Sequence, residues 1–389
     1  MQSKWRRMNL LDVCSIKTGK HDANHAVVNG RYRFYTCASE YSYSNTYVFD
    51  EPSIIIPGNG DIGLVFYYDG KFDAYQRTYV LYNIRVNPRY LYYHLLFKWR
   101  HINANKQFGS TIRYVRMKNF SNYELIAPPI PEQERIVAKI EELFSELDKG
   151  VGALQKIKEQ LKVYRQAVLK DAYSLENEKK CMLKECCNFI TKGTTPKKNE
   201  MIDYKREIPF IKVYNLTFTG QLDFSIDPTF ISAETHKGFL GRSITIPNDV
   251  LMNIVGPPMG KVSIVPNTYP EWNINQAIVR FRCLETLNYK YLAYFLMFSK
   301  TIEKMKRKAK ATAGQFNLTL EICRDLEIPL PCIERQVEII TEIESRLSIC
   351  ERIEQIVDEA LLKAESLRQS ILKKAFEGKL VTQEETING

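Results

Sequence analysis

The chain repeats the sequence RQAVLKDAY, residues 165–173, as RQSILKKAF, residues 368–376. These segments end two longer stretches, 128–173 and 331–376, which align without a gap and are identical at twelve of 46 positions. The shift of 203 residues is far longer than the repeat of a solenoid, which spans about 20–50 residues. The repeat therefore predicts a duplicated module of one domain plus one helix, and hence a molecule with two similar working ends.

Apolar residues recur in both copies at alternating steps of three and four, with one seam position missing in each copy, at Gly150 and at Arg346. In the first copy they are Ile136, Ile140, Leu143, Leu147, Leu154, Ile157, Leu161, Tyr164 and Val168; in the second they are Ile339, Ile343, Cys350, Ile353, Val357, Ala360, Ala364, Leu367 and Ile371. This spacing is typical of a coiled-coil stripe. Each helix would be roughly 63 Å long at 1.5 Å per residue. Two such stripes predict an antiparallel pair, with the two remaining segments at opposite ends of a rod. Gly150 and Gly152 are expected to loosen the middle of the first helix.

The segments outside the repeat contain short β-rich runs broken by Gly and Pro. Predicted strands are 53–57, 63–68, 79–86, 208–213, 243–246, 261–265 and 277–282, and each segment has one short helical pattern, at 90–97 and 291–298. The sequence thus predicts an α+β fold with two similar strand-rich lobes, separated by two long antiparallel coiled-coil helices, in a pseudo-twofold internal repeat. The predicted boundaries are 1–127 for the first lobe, 128–175 for its helix, 176–330 for the second lobe, 331–378 for its helix and 379–389 for a tail.

Charge is unevenly distributed along the 389 residues. The net charge is +10, and the excess positive charge lies in the lobes: about +8 in 1–131 and +6 in 174–333, against zero in 132–173 and −3 in 334–377. Solubility alone does not predict this segregation, whereas two basic lobes are expected if both bind a polyanion. No apolar run has the length of a membrane span, the N-terminus does not resemble a signal peptide, and nine irregularly spaced cysteines favour a reducing compartment. A cytoplasmic protein without membrane contact is therefore expected.

Two further segments identify a family. The sequence IAPPIPEQERIV, residues 126–137, is echoed by IPLPCIERQV, residues 328–337, ahead of the repeated helix ends quoted above. Together with the lobe–helix–lobe–helix order, these motifs resemble the specificity subunits of Type I restriction-modification systems over essentially the whole chain. The echo departs from the family pattern at Cys332 and Arg335, where Pro-Leu and Glu-Gln are more common.

The resemblance implies a specific role for each part. Each lobe would be a target-recognition domain that reads one half of a bipartite, interrupted site in double-stranded DNA. The helices would act as a spacer and as the docking surface for two methyltransferase subunits, and a restriction/translocase subunit could join them. S-adenosylmethionine, and ATP and Mg²⁺ where a nuclease is present, would be bound by those partners; this chain would bind no cofactor and catalyse no reaction. The predicted partner contacts are Leu154, Leu161, Tyr164, Val168, Val357, Leu367 and Ile371.

Polar loops supply the candidates for DNA contact. Arg, Lys, Asn and Gln can form paired hydrogen bonds with base edges, whereas Lys, Arg, Ser and Thr also suit phosphates. In the first lobe the candidates are Lys17, Thr18, Lys20, Arg31, Arg33, Gln76, Arg77, Lys106, Gln107, Ser110, Thr111 and Arg113. In the second lobe they are Lys192, Thr194, Thr195, Lys197, Lys198, Lys212, Asn215, Asn273, Asn275, Gln276, Lys308, Lys310, Thr312, Gln315 and Asn317. Each of these residues could equally be a solvated turn residue, so whole loops are the better prediction.

Three motifs for catalysis or metal binding were considered and set aside. The sequence Asp227-Pro-Thr-Phe230 lacks the second proline of an amino-methyltransferase box, and a turn is the better interpretation. The sequence Gly256-Pro-Pro-Met-Gly-Lys261 is one residue too short for a phosphate loop and continues with Val262 instead of Ser or Thr. His21 and His25 could share a metal if they were helical, but their neighbours indicate a loop and no Cys-x-x-Cys accompanies them. No metal site is therefore predicted.

Three other functions remain open from the residues alone. A scaffold with two protein-binding lobes need not bind DNA, and salt dependence would distinguish it. A self-sufficient nuclease or methyltransferase would be active as the isolated chain. A stand-alone repressor would bind DNA but would not co-purify with a methyltransferase.

Overall fold

The structure is a computed structural model that describes residues 5–103, 113–175, 178–197, 201–202, 207–309, 311–312 and 315–381; for residues 202, 311–312 and 315–316 it describes the backbone alone. The chain forms two compact units. Unit 1 comprises residues 1–155 and 358–389, and unit 2 comprises residues 156–357. Each unit therefore contains one lobe together with part of each repeated helix.

Both lobes begin with strand, helix and strand and end with a short helix and a strand, but the elements between them differ. The first lobe contains β1 (Arg6–Asn9), α1 (Leu10–Val13), β2 (Ser15–Thr18), β3 (Tyr32–Tyr35), β4 (Ser42–Ser44), β5 (Phe49–Asp50), β6 (Ser53–Pro57), β7 (Phe66–Tyr68), β8 (Lys71–Ala74), β9 (Thr78–Tyr82), α2 (Pro88–Asn103), α3 (Met117–Ser121) and β10 (Glu124–Ala127), and is followed by the long helix α4 (Ile130–Ala172).

The second lobe contains β11 (Lys180–Met182), α5 (Leu183–Cys186), β12 (Cys187–Lys192), β13 (Met201–Ile202), β14 (Ile208–Ile211), β15 (Phe230–Ile231), α6 (Ala233–Lys237), β16 (Val250–Asn253), β17 (Val262–Ile264), β18 (Asn273–Ile274), β19 (Ile278–Cys283), α7 (Tyr289–Met297), α8 (Ser299–Lys308), β20 (Ala311–Thr312), β21 (Gln315–Phe316), α9 (Leu320–Arg324) and β22 (Glu327–Pro329). The second long helix, α10 (Ile333–Phe376), follows. Short 3₁₀ turns lie at Ala23–His25, Val213–Asn215 and Gly241–Ser243.

One sheet matches in the two lobes and a second matches in part. The first has the order β2-β9-β6-β7 in the first lobe and β12-β19-β16-β17 in the second, with antiparallel neighbours throughout. In the second sheet β4-β3-β8 corresponds to β15-β14-β18, with β3 parallel to β8 and β14 parallel to β18, but the fourth strand lies at opposite edges: β5 beside β8, and β13 beside β15. The antiparallel pairs β1-β10 and β11-β22 bring the start of each lobe to its end. The predicted fold of two similar α+β lobes with long helices is confirmed.

The predicted strands are partly correct. Strand 53–57 is confirmed as β6, but the strand predicted at 79–86 ends at Tyr82, because Asn83 has a left-handed φ of 49° that turns the chain. The strand predicted at 243–246 is wrong. Its first residue lies in the 3₁₀ turn at Gly241–Ser243, and Thr245 forms an isolated bridge to Trp272.

The long helices are part of both hydrophobic cores. In unit 1, Ile136, Ile140 and Phe144 of α4 pack with Leu372 and Ala375 of α10 in one buried cluster with the first lobe. In unit 2, Val168 and Leu169 of α4 join Ile339, Ile343 and Leu347 of α10 in the core of the second lobe. Each fully buried Ile, Leu or Phe contributes about 1.5–3 kcal/mol to folding.

Residues that are identical in the repeat perform the same task in both units. Gln133 donates to the Pro128 carbonyl (2.7 Å) and accepts from the Asn87 N–H (2.9 Å). Gln336 likewise donates to Pro331 (2.9 Å) and accepts from Asn288 (2.8 Å). Each buried amide thereby ties the start of a long helix to the start of α2 or α7. The repeat motif is thus the joint between lobe and helix.

Ion pairs within each unit establish the antiparallel direction of the helices. In unit 2, Arg165 donates to Glu354 (2.7 Å) and Arg346 donates to Asp171 (3.0 Å), so that the residue numbers rise on α4 as they fall on α10. In unit 1, Arg368 pairs with Asp148. Helix α4 continues through Gly150 and Gly152 without a break.

The predicted stripe is only partly buried. Tyr164, Ile353 and Leu367 are exposed, and Phe144 takes the buried place expected for its neighbour Leu143, which is half-buried. The buried face shifts because both ends of each helix pack on a lobe as well as on the other helix. Among the described residues, no helix has both the length and the apolarity needed to cross a membrane.

Candidate nucleic-acid interface

A groove of about 410 Å³ in the first lobe brings together residues from distant parts of the sequence. It is lined by Thr18, Gly58, Asn59, Gln76, Arg77, Tyr79, Tyr114 and Val115. Thr18 ends β2, Gln76 and Arg77 form the turn between β8 and β9, and Tyr114 follows Arg113. The first and third predicted loops, and the described end of the fourth, therefore meet at one place.

Main-chain hydrogen bonds around Gly58 build this groove. Gly58 donates to the Arg77 carbonyl (2.9 Å), and Val115 donates to the Gly58 carbonyl (2.9 Å). A Cβ atom at position 58 would lie 2.2 Å from the Arg77 oxygen, so only glycine allows this approach. Gly60 also donates to the Arg113 carbonyl (3.0 Å). The exposed side chains of Arg77 and Arg113 are thus anchored on adjoining backbone segments.

A second glycine fixes the loop that holds Lys17, Thr18 and Lys20. Gly19 donates to the Thr78 carbonyl (3.1 Å), and a Cβ atom there would lie 1.9 Å from the Ala74 oxygen. Lys20 is exposed beside it. The Lys17 ammonium lies over the rings of Tyr82 (4.2 Å) and Phe49 (4.6 Å), away from the residues that line the groove.

Arg33 belongs to a different cavity. Its guanidinium lies 4.4 Å from the rings of both Tyr41 and Tyr68, in a cavity of about 560 Å³. The hydrogen bond to Tyr35 (3.4 Å) raises the pKa of Arg33 above its ordinary value, so this cavity has a permanent positive charge. Arg31 is exposed at a bend before β3 and does not line the groove. The second predicted loop therefore does not join the other three.

The second lobe repeats the glycine contact with different polar residues. A Cβ atom at Gly193 would lie 2.0 Å from the Ile274 oxygen. Thr194 accepts from Arg242 Nη2 (2.7 Å), and the exposed Thr195 accepts from the Gln276 N–H (3.4 Å). Lys192, Lys197 and Gln276 are exposed along the same edge. These first and third loops therefore adjoin, as they do in the first lobe.

The fourth loop of the second lobe also reaches the equivalent backbone position. Leu318 donates to the Ile254 carbonyl (2.9 Å), and Asn317 bridges to Val255, as Tyr114 bridges to Asn59 in the first lobe. Asn317 and Lys308 are exposed. Thr312 and Gln315 belong to the short hairpin β20-β21, of which only the backbone is described. The predicted residues outside the described part of the chain are Lys106, Gln107, Ser110, Thr111, Lys198 and Lys310.

Two predicted DNA contacts are wrong because their amides are buried and already bonded. Asn215 donates to the Asp223 and Ile226 carbonyls and accepts from the Lys212 N–H. Asn273 is fully buried and donates to the Leu240 carbonyl (3.2 Å). Neither side chain can reach a base without unfolding its surroundings.

Two further predicted contacts are partly occupied by neighbours within the chain. The Lys212 ammonium lies 3.8 Å from Asp227, and the half-buried Asn275 accepts from the Ala277 N–H (3.1 Å).

Four residues that line the groove were not predicted from the sequence: Gly58, Asn59, Tyr79 and Tyr114. Their signal was the Gly-Asn-Gly turn after β6. A glycine-rich turn that follows a buried strand is a sign of close backbone approach. Tyr79 and Tyr114 give no such signal, because the chain contains 23 tyrosines and most could be core residues.

Two of the three motifs that sequence alone argued against, 227–230 and 256–261, adopt the structures of ordinary loops. Asp227 accepts from the Tyr214 hydroxyl (2.6 Å) in the predicted turn. In the segment 256–261, the N–H groups of Gly260 and Lys261 donate to Asn253 Oδ1 (3.0 and 2.8 Å). These two donors are therefore unavailable to a phosphate.

The predicted partner contacts on the helices divide by exposure. Leu161, Val168 and Val357 are buried within the chain, which contradicts their assignment as contacts to another subunit. Leu154 and Ile371 are half-buried, whereas Tyr164 and Leu367 are exposed. Several apolar residues that were not predicted are more exposed still, among them Val163 (71%), Ile356 (64%) and Leu362 (72%).

Comparison with known proteins assigns a family to this architecture. The family model described as "Type I restriction modification DNA specificity domain" matches residues 2–160 and 176–360. The chain is 27% identical to the Type I restriction enzyme EcoDI specificity subunit of Escherichia coli, over 97% of this chain and 89% of that one. It is 26% identical to the putative type I specificity subunit S.MpnORF507P of Mycoplasma pneumoniae, over 86% of this chain and 87% of that one.

Solved structures resemble the whole chain in fold. A chain solved in work on complex assembly and conformational transition of the type I R-M system superposes with a TM-score of 0.73 at 18% identity, covering 97% of this chain and 98% of that one. The HsdS subunit from Thermoanaerobacter tengcongensis superposes with a TM-score of 0.51 at 17% identity, covering 97% of both chains.

Proposed function

The chain belongs to the Type I restriction modification DNA specificity family, and from this premise we propose that its two lobes each read one half of an interrupted site in double-stranded DNA. The observation that carries the proposal is the first-lobe groove, where Thr18 from one loop and Gln76 and Arg77 from another line one surface. Arg offers paired donors to guanine, and Gln pairs with adenine, so this surface has the chemistry of base recognition.

The contacts divide into two classes by chemistry. Arg77 and Gln76 are the candidates for base contact in the first lobe, and Gln276 is the candidate in the second. Lys20, Lys192 and Lys197 are exposed on the glycine-fixed loops and would neutralise phosphates. Phosphate contacts supply affinity and register, whereas base contacts supply specificity.

The two half-sites should differ. The groove of the first lobe is edged by Gly58 and Asn59, whereas the corresponding backbone of the second lobe carries Ile254 and Val255. Similar frames with unlike side chains at the same position support recognition of two unlike half-sites, and hence of an asymmetric target.

The long helices would dock two methyltransferase subunits, each of which modifies an adenine in one half-site. Exposed apolar residues such as Val163, Tyr164, Leu362 and Leu367 offer surface for that contact. S-adenosylmethionine would be bound by those subunits, as would ATP and Mg²⁺ by a restriction/translocase subunit, so this chain would direct the reaction in the cytoplasm without catalysing it.

Mapping of methylated adenines tests the proposal. Genomic DNA from cells with and without this chain would be compared, with the methyltransferase subunit present in both. We expect one interrupted motif to lose methylation completely when the chain is absent. Unchanged methylation at every motif would refute the proposal.

A further inference from the structure

An aspartate outside the first-lobe groove is bonded to a residue that lines it. The Gln76 side chain donates an Nε2–H to Asp22 Oδ1 (2.7 Å). Asp22 is exposed three residues after Gly19 and does not itself line the groove. Among the residues that the structure describes, Gln76 Oε1 has no hydrogen-bond partner. Asp22 therefore decides which atoms of the Gln76 amide remain for a ligand.

The bond to Asp22 leaves the Gln76 amide with one donor and one acceptor. A glutamine amide has two N–H donors and one acceptor oxygen, whereas an ionised carboxylate can only accept. The amide therefore cannot turn its oxygen toward Asp22, because two acceptors would face each other. On its major-groove edge adenine offers one donor and one acceptor, whereas guanine offers two acceptors. The remaining groups of Gln76 match adenine and do not match guanine.

We propose that Asp22 is a positioning residue that restricts Gln76 to adenine and excludes guanine. This inference rests on the proposed function, because it requires that Gln76 faces a base. To satisfy both acceptors of guanine, the amide would have to turn both of its N–H groups toward the base, and the bond to Asp22 would break. Adenine requires no such turn. The discrimination between the two purines thus comes from a residue outside the groove.

A buried carboxylate holds the turn that carries Asp22 on the sheet. His25 Nε2 lies 2.7 Å from the Thr46 hydroxyl, which donates to Asp73 Oδ2 (2.9 Å). His21 Nε2 is 3.3 Å from the same oxygen. The two imidazole rings stack face to face, with centroids 3.8 Å apart and planes 7° apart, so their in-plane lone pairs cannot converge on one metal ion. The cluster therefore anchors the turn through hydrogen bonds.

Main-chain hydrogen bonds fix Gln76 against the same turn. The Gln76 N–H donates to the His21 carbonyl (2.9 Å), and the His25 N–H donates to the Asp22 carbonyl (3.0 Å). Both partners of the side-chain bond are thus held by their backbones. Because little further ordering is needed, the bond between Asp22 and Gln76 can keep the amide in one orientation before DNA binds.

The second lobe has no carboxylate at the corresponding position. The third residue after its shared glycine is Pro196, whereas the third residue after Gly19 is Asp22. The N–H of Gln276 donates to the Thr195 hydroxyl (3.4 Å) instead of to a carbonyl. The restriction imposed by Asp22 therefore applies to the half-site of the first lobe alone.

Selection from a randomised library of DNA duplexes tests the proposal. The full-length chain, assembled with its methyltransferase subunits, would bind the library, and sequencing of the bound fraction would give the base preference at each position. Gln76→Met removes the amide from a side chain of similar length and identifies the position that Gln76 reads. Asp22→Ala removes the acceptor. Asp22→Asn keeps the shape but can also donate to Gln76 Oε1, so it no longer dictates the orientation.

The matched control is Asp69→Ala, which removes an exposed aspartate between β7 and β8 of the same lobe. It changes the net charge by the same amount as Asp22→Ala, so both should alter phosphate attraction without altering the ratio between bases. The Asp22 side chain makes no cap bond to the 3₁₀ turn that follows it, and its replacement should leave that turn folded. Circular dichroism would verify the fold of each variant.

We expect wild type and Asp69→Ala to enrich one interrupted motif with adenine at the position identified by Gln76→Met. Both Asp22 variants should enrich the same motif, but with a preference for adenine over guanine at that position that is roughly tenfold lower. Preferences at the other positions should be unchanged. A purely structural role for Asp22 would instead weaken selection at every position of the half-site.

The inference is overturned if both Asp22 variants keep the wild-type preference at that position, if Asp69→Ala loses it equally, or if Gln76→Met changes no position. If the wild-type complex enriched no motif, the proposed function would be refuted and this inference with it. The two failures are therefore distinguishable in one experiment.

Discussion

The two lobes share a backbone frame but present different side chains on it. In both lobes, a glycine lies directly after an edge strand of the antiparallel sheet, Gly19 after β2 and Gly193 after β12. Each glycine lies against the carbonyl of the last residue in the parallel pair of the second sheet, which is Ala74 in the first lobe and Ile274 in the second. One position earlier, however, the first lobe has Asp73 beside two histidines, whereas the second has Asn273 bonded to His236. Duplication has therefore kept the contacts that position the loops, while the groups that the loops present have diverged.

The same contrast applies at the joint between lobe and helix. Gln133 and Gln336 make equivalent hydrogen bonds, and Tyr90 and Tyr291 each donate to a carbonyl near the end of the lobe (2.8 and 3.0 Å). Yet the aromatic pair behind them differs: His94 packs on Phe376 in unit 1, whereas Phe295 packs on Tyr173 in unit 2. Because these residues differ, a mutation can alter the joint of one unit without altering the joint of the other.

The largest expected effect follows from adding one methyl group to either shared glycine. Gly19→Ala would place a Cβ atom 1.9 Å from a backbone oxygen that no rotamer change can move. We expect a loss of about 2–4 kcal/mol of stability confined to unit 1, and Gly193→Ala should do the same to unit 2. Hydrogen exchange read by mass spectrometry would localise each loss. Equal loss of protection in both units would show that the units are not independent.

Next in size is the loss of the exposed arginine of the first-lobe groove. Arg77→Ala should weaken binding to the proper site by about 1–3 kcal/mol and relax one half-site alone, because a guanidinium can form two bonds to one base. The control is Arg31→Ala, which removes an exposed arginine of the same lobe from outside the groove. Competition binding of the assembled complex against DNA with single-base changes would measure both. If Arg77→Ala and Arg31→Ala had the same effect on DNA affinity and base preference, the groove would not be the surface that reads the bases.

Acid should destabilise unit 1 more than unit 2 through one buried histidine. Burial lowers the pKa of His94 to about 3. The unfolded chain takes up a proton at His94 below about pH 6.5, whereas the folded chain does not do so until about pH 3. Stability is therefore fully present above pH 6.5 and is lost as pH falls, by about 2 kcal/mol between pH 7 and pH 5.

His94→Phe, which copies Phe295 of the second lobe, should remove this part of the pH dependence. Denaturant unfolding followed by hydrogen exchange in unit 1, at pH 7 and pH 5, would measure it. If wild type and His94→Phe lost the same stability between pH 7 and pH 5, the acid sensitivity would belong to other groups.

The smallest expected effect concerns the glycines inside α4. A Cβ atom at Gly150 or Gly152 would meet nothing within 4 Å, so alanine fits there and restricts the unfolded chain. Each substitution should add roughly 0.5–1 kcal/mol, seen as a higher melting temperature. These variants are also the controls for Gly19→Ala, because they add the same methyl group in open space.

The sequence predicted the parts of the fold that periodicity and repetition encode. Helices α4 and α10 follow from apolar residues at heptad spacing, and the paired lobes follow from a repeat whose identical residues form the joint. Tyr164 and Leu367 were predicted on the coiled-coil stripe but are exposed, because a periodic pattern does not say where a helix also packs on a lobe.

The sites were harder to predict because they depend on long-range contacts. The loops with Thr18, Gln76 and Arg77 were found as polar stretches, but their meeting at Gly58 depends on backbone pairing across the lobe. Asn215 and Asn273 read as ordinary surface amides, and only burial shows that they are structural. Composition identifies polar loops, whereas the fold decides which of their side chains face outward.

Exchange of one lobe tests whether each lobe reads its own half-site independently. Residues 1–127 would be replaced by the corresponding lobe of another specificity subunit, and methylated motifs would be mapped in cells that also contain the methyltransferase. We expect a new motif in which one half is replaced and the other half is unchanged. A motif altered in both halves, or in neither, would contradict independent reading by two lobes.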